Sequence, residues 1–177
     1  MPEPHVGEAG GEAGGEAEEP TAEARRAGLA LEARRLMREA ASATLATLGR
    51  EGHPHTALVT PAIAPDGAPL LFLSTLSEHT RQLLRDPRCS LLFQGAPAEE
   101  NPQTTPRISL SGTAERVEDA ALKAVWLARH PYAAPYADFG DFSLWRVAPR
   151  SALMVLGFGR AHRLAGAELA PAPGEAA

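Results

Sequence analysis

Hydrophobic and polar positions change period several times along this chain, and each change marks an element. Residues 21–41 are dense in Ala, Leu, Glu and Arg, all strong helix formers, and Pro20-Thr21 supplies a start signal, so a helix is predicted there. Over residues 42–48 small polar and apolar residues alternate, the period of a half-buried strand. Gly49-Arg50-Glu51-Gly52 reads as a turn, and residues 55–64 (HTALVTPAIA) resume as a second strand. Pro65-Asp66-Gly67 has the chemistry of a hairpin turn leading into a short buried strand at residues 70–74 (LLFLS). Three strands joined by tight turns predict an antiparallel meander.

A second helix is expected next. Thr75 and Glu78 have capping-box spacing, Ser77 is a rival N-cap, and residues 79–85 make about two turns before Asp86-Pro87 stops them. Residues 89–93 (CSLLF) read as a strand, residues 95–106 as a Pro-containing loop, and residues 107–117 as another strand. Residues 118–130 are amphipathic, with Leu122, Val125, Trp126 and Arg129 on one face, and Pro131 ends that helix. Two further strands are expected at residues 143–147 and 152–158. The order α-βββ-α-ββ-α-ββ points to an α+β fold, a small antiparallel split barrel of six to seven strands with flanking helices.

With 177 residues, one domain is expected, at residues 21–165. The repeat GEAGGEAGGEA at residues 7–17 offers nothing apolar to bury, so residues 1–20 read as a disordered acidic tail. The Ala/Pro/Gly-rich residues 166–177 read as a flexible C-terminal tail. Of the net charge of −5, the first 24 residues account for seven Glu and no Lys or Arg, so the remainder is close to neutral. No concentrated basic face is legible, which argues against a nucleic-acid partner. Nearly all the basic residues are Arg, which suits anionic ligands, although genome base composition produces the same bias. The single Cys89 excludes an internal disulfide and fits a reducing compartment. No apolar run approaches the roughly 20 residues of a membrane helix, and the N-terminus lacks the pattern of a secretory signal, so a cytoplasmic protein without membrane contact is expected.

Candidate chemistry is sparse. The start of the second helix offers unpaired N–H groups, hydroxyls from Ser74, Ser77 and Thr80, and positive charge from His79 and Arg81. That is a ready anion site, or simply a well-capped, solvated helix start. His53 and His55 flank Pro54, but two ligands are too few for a metal site, and none is expected. His130 reads as a helix C-terminal residue favoured by the dipole. Five of the nine aromatics fall within residues 132–145, a core or subunit interface, or the wall of a ligand site. Cys89 reads as inert packing. No catalytic residue can be singled out.

Residues 71–93 (LFLSTLSEHTRQLLRDPRCSLLF) and 106–117 (PRISLSGTAERV) resemble the FMN-binding split barrel of the pyridoxamine 5′-phosphate oxidase superfamily. Residues 130–164 are similar to its haem-utilisation (HugZ-like) branch, and the likeness runs over about residues 35–164. The resemblance implies a homodimer with flavin in clefts between the subunits, acting as an FMN-dependent oxidoreductase on a small-molecule substrate. It implies a phosphate shell of Ser74, His79, Thr80 and Arg81, backbone contacts to the ring from Leu58, Val59 and Thr60, and Arg107 near the flavin edge. Arg107 is equally readable as an exposed strand residue. Two departures stand out. Ala57 replaces a basic residue of the oxidases, and their substrate-binding Arg-x-His has only Arg160-Ala161-His162, at the end of the last strand. The haem-ligating extension of the branch is expected to be absent, since no His follows His162. The alternatives are a non-catalytic haem- or flavin-binding module, a deazaflavin in place of FMN, and a dimer with an empty cleft.

Overall fold

A computed structural model of the chain describes residues 19–97 and 99–172. The expected N-terminal tail therefore lies outside the described residues apart from Glu19 and Pro20, as do residues 173–177. Helix α1 spans Ala22–Glu39, its N-terminus closed by the Thr21 hydroxyl, which accepts from the Ala24 amide at 3.2 Å. Strand β1 is Ala43–Leu48, β2 Pro54–Val59, β3 Ala62–Ile63 and β4 Pro69–Ser74; helix α2 is Glu78–Leu83 and β5 is Arg88–Gln94. Strand β6 is Arg107–Val117, α3 Ala120–Arg129, β7 Phe142–Val155 and β8 Ala161–Ala165, followed by a 3-10 turn at Gly166–Leu169.

All eight strands join one antiparallel sheet, ordered β2-β1-β5-β6-β7-β4-β3, with β8 pairing the far half of β7. The sheet curls into the half-barrel of an α+β split barrel. Strands β2 and β3, consecutive in sequence, form its two opposite edges, so the chain crosses the open seam at Thr60-Pro61. This corrects the expected meander. The Pro65-Asp66-Gly67 hairpin is present between β3 and β4, but β4 pairs β7, not β2. The expected strand at residues 55–64 is broken because Pro61 has no N–H to carry a ladder onward.

Three further corrections concern the second half. The two strands expected at residues 143–147 and 152–158 are the single β7, and Pro149 is tolerated because the ladder with β6 shifts register between Ser111 and Gly112. At Gly112 a Cβ would meet the Ala148 carbonyl oxygen at 2.5 Å, so the backbones approach there as only glycine allows. Strand β8 was not expected, which raises the count from six or seven to eight. Nor does the domain stop at 165: Leu169 is fully buried, and the Glu168 carboxylate forms a two-pronged pair with Arg26 of α1.

The main core lies under α1, where Ala33, Leu36 and Met37 meet Leu45, Leu91, Phe93, Ile108, Leu110 and Met154 of the sheet. A second core sits at the seam, built from Ala62, Leu70, Trp126 and Leu144 with Phe72 and Tyr136 packed against it. Phe72 lies 5.1 Å from the Trp126 ring and 5.3 Å from that of Phe142. Most of the aromatic cluster is thus core, while Tyr132 and Phe139 remain exposed. Trp126 Nε1 donates to the Thr60 carbonyl at 3.0 Å, and His130 Nε2 meets the Pro61 carbonyl at 3.0 Å. These two bonds satisfy the carbonyls at the crossing, where no strand partner can. His130 is therefore a buried latch on the seam, beyond its expected place at a helix C-terminus.

Candidate cofactor-binding site

The turn from β4 into α2 is organised by a carboxylate from another loop. Ser74 Oγ donates to Asp141 at 2.6 Å and accepts from the Leu76 amide at 3.1 Å, while the Thr75 amide donates to the Asp141 carbonyl at 2.8 Å. Ser77 is the N-cap residue by position, and its side chain makes no capping bond. The expected Thr75–Glu78 capping box is replaced by pairing within the helix. Glu78 accepts from Arg81 at 3.1 Å and from Gln82 at 3.3 Å, and the Arg81 guanidinium holds its carboxyl below the usual range.

Helix α2 is tied to β1 by Thr47, whose buried hydroxyl donates to Gln82 Oε1 at 2.5 Å. Thr47 stands opposite His55 in the β1–β2 ladder. His55 therefore lies beneath α2, on the inward face of β2, with Ala57 next on that face. His79 precedes Gln82 by three residues, which puts both on the same side of the short helix. Burial, and then the field of His55, push the His79 imidazole below the ordinary histidine value. Two side-chain atoms here are buried without hydrogen-bond partners, His55 Nδ1 and Thr80 Oγ1, and Thr80 is wholly enclosed. An orphaned buried polar group costs about 1–3 kcal/mol, so a ligand that met His55 Nδ1 would stabilise the chain.

The His79 shift has a stability consequence with a definite sign. A neutral imidazole is favoured in the fold, so its contribution is complete above the unfolded histidine value, about 6.5, and is lost as pH falls through the lower folded value. Thermal unfolding of the unliganded protein should show a drop in midpoint between pH 7.5 and 5 that is smaller in His79→Gln. Equal drops in the two proteins would refute this.

The other expected residues lie elsewhere on the same sheet. In β2, Val59 is buried, Leu58 is 76 % exposed on the outer face, and Thr60 follows the strand with its carbonyl held by Trp126. Leu58 lines a groove of about 860 Å³ along α1, together with Leu31, Arg35, Glu39, Leu92 and Pro106. Arg107 donates from Nη1 to the carbonyls of Gln103 (2.9 Å) and Thr105 (3.1 Å), so it clasps the preceding loop. It is paired with Gln94, at the Ala43 end of β1, whereas Thr47 and His55 lie at the other end. Ala43 and Thr47 are separated by about 13 Å at the strand rise. The structure thus brings His79 beside His55, buries Thr80 in the same short helix, keeps Ser74 and Arg81 at the flank with partners of their own, and leaves Arg107 at a distance.

Sequence reasoning missed two participants. His55 reads from sequence only as half of a His-x-His pair, and the one signal at Asp141 is its place between Gly140 and the next strand. Among the described residues, no group of three or more His, Cys, Asp or Glu could hold a metal ion. Burial pushes the Cys89 thiol up to about 11. His130 has partners on both ring nitrogens, the Pro61 carbonyl and the Tyr132 hydroxyl, whereas His162 is half-buried on β8 opposite Met154. Among the described residues, no helix is long and apolar enough to cross a membrane.

Comparison with known proteins agrees with this architecture. The sequence model of pyridoxamine 5′-phosphate oxidase matches residues 29–156. The Arabidopsis thaliana protein named non-canonical heme oxygenase HOZ, chloroplastic, is 41 % identical over 110 residues, which is 60 % of this chain and 33 % of that protein. The chain thus spans about a third of the length of that curated relative. The solved structure of a heme binding protein from Mycobacterium smegmatis is 36 % identical, with a TM-score of 0.74 over 79 % of this chain and 59 % of that one. A protein of unknown function from Agrobacterium tumefaciens is 28 % identical, with a TM-score of 0.70 over 82 % of this chain and 61 % of that one. With most of its length matched and the same curled sheet shared with these structures, the chain belongs to the pyridoxamine 5′-phosphate oxidase family.

Proposed function

We propose that the protein is a homodimeric flavoprotein that binds FMN and serves as an oxidoreductase for a small molecule. The observation that carries this reading is the pair of imidazoles, His55 and His79, brought together under α2 with His55 Nδ1 left without a partner. Such a pair suits a phosphate monoester, which accepts hydrogen bonds and rewards positive charge. His79 and Thr80 would hold the phosphate, and the Leu58–Thr60 backbone, fixed at the seam by Trp126, would support the ring end. When bound, the flavin supplies the hydride and electron transfer. The chain's own work is to orient the ring and exclude water from it.

The outer face of the sheet supports the dimer. Ala46, Ser90, Ser111 and Ser151 stand opposite one another on four adjacent strands, a flat stripe of small residues. Beside it run Leu58, Thr44, Leu92, Ser109 and Leu153, with Leu153 36 % exposed. A second copy laid on this low-relief face of small hydroxyl residues and three leucines would cover Leu58 and wall the ring site from the other side.

Titration of purified protein with FMN, followed by flavin fluorescence, should show binding at micromolar concentration. His79→Ala should weaken it by about tenfold or more, the scale of a lost charge-assisted bond. Sedimentation should give twice 18.6 kDa. Absence of FMN binding at that concentration would defeat the cofactor reading, and a deazaflavin titration would separate the two flavin classes.

A second reading, a non-catalytic haem-binding module, is favoured by the names of the relatives from M. smegmatis and A. thaliana. Of His130 and His162, only His162 lacks partners on its ring, so a Soret band after addition of haemin that disappears in His162→Ala would support it.

A further inference from the structure

We propose that His55 is a phosphate-binding residue: the imidazoles of His55 on β2 and His79 on α2 together hold the terminal phosphate and take up protons as it binds. This rests on the FMN reading above and adds a residue to it.

The placement follows from three facts. Thr47 pairs with His55 across the ladder, Thr47 is bonded to Gln82 of α2, and His79 lies one turn before Gln82. The two rings are close enough that His55 acts on the charge of His79. His55 Nδ1 is buried and unpartnered, as is Thr80 Oγ1 in the same short helix as His79, so two polar atoms of these elements are left unsatisfied. The other charges nearby are already committed. Glu78 and Arg81 of α2 are paired with each other, and Asp141 is bonded to Ser74. β1 brings only the neutral Thr47, the next inward position on β2 is Ala57, and Arg50, Glu51 and His53 are exposed in the turn that opens β2. Arg85, three residues past Gln82, is the remaining cation at the end of α2; it is exposed and acts on Glu78, so protons on the two imidazoles supply the charge closest to the phosphate. Without an anion, two imidazolium ions side by side repel; a dianionic phosphate between them removes that cost.

Proton uptake makes affinity a function of pH. FMN affinity should rise by up to about tenfold per pH unit for each proton taken up as pH falls from 8 to 6.5, whereas riboflavin, without the phosphate, should bind independently of pH over that range. His55→Asn should reduce FMN affinity at pH 6.5 by about tenfold and flatten its pH slope, leaving riboflavin binding unchanged. His55→Arg, which keeps a permanent charge, should restore affinity without restoring the slope. Independently of any flavin, inorganic phosphate should shift the Cε1–H resonances of both His55 and His79 in the wild-type protein. If His55→Asn binds FMN with the wild-type affinity and slope, or phosphate leaves the His55 resonance in place, the assignment falls while the cofactor reading stands. If the wild-type protein binds neither FMN nor phosphate, both fall.

Discussion

Trp126→Ala should destabilise the protein by about 3–5 kcal/mol, the range for loss of a large buried aromatic. The indole is 2 % exposed, packs 5.1 Å from Phe72 and 4.7 Å from His130, and holds the Thr60 carbonyl. Its removal leaves a cavity in the seam core and an unsatisfied carbonyl where the chain crosses directly between the two sheet edges. Trp126→Phe keeps most of the packing and loses the bond, so it should fall between wild type and alanine, about 1–3 kcal/mol down. Denaturant titration measures both. Because Thr60 closes the strand proposed to support the flavin ring, Trp126→Phe should also weaken FMN binding while the fold persists. A cost below 1 kcal/mol for Trp126→Ala would mean that the seam does not depend on this latch.

The second large effect is expected where the C-terminal turn closes over the β3–β4 hairpin. Leu169 is fully buried in the main core, and Leu169→Ala should cost about 2–5 kcal/mol. Gly67 lies beneath it with φ +86°, and a Cβ there would meet the Leu169 carbonyl oxygen at 2.2 Å. Gly67→Ala thus combines a disfavoured backbone with a collision against main chain, and should destabilise by well over 1 kcal/mol. The two substitutions act on one contact, so their double variant should cost less than the sum. Strict additivity would show that the turn and the hairpin are energetically separate.

The second contact also shows where the sequence could and could not be read. Helix α1, the β3–β4 hairpin and β6 were legible because propensity, turn chemistry and period agreed locally. Residues 166–169 were not, because Gly, Ala, Glu and a single Leu carry no period; the turn is ordered by partners more than a hundred residues away, Arg26 among them. β8 had a faint signal in Gly157 and Gly159, both at positive φ in the turn that precedes it. A β2–β4 pairing follows from proximity along the chain alone, but Pro61 interrupts the strand, so β4 pairs β3 and β7.

At the site, the cluster of Ser74, His79, Thr80 and Arg81 was found as a segment, but the direction of each side chain was beyond pattern. Ser74 is taken by Asp141 and Arg81 by Glu78, both choices of local geometry. His55 could not be joined to His79 before the β1–β2 register and the Thr47–Gln82 bond were known.

The open seam leaves a sheet with free margins, a standing invitation to fibril growth by lateral addition of another chain. Each margin is guarded. β2 begins at Pro54 and stops ahead of Pro61, β3 is two residues long, and β8 carries the exposed Arg163 just after Arg160. A barrel that stays unsealed along one side thereby remains a poor template for amyloid-like stacking.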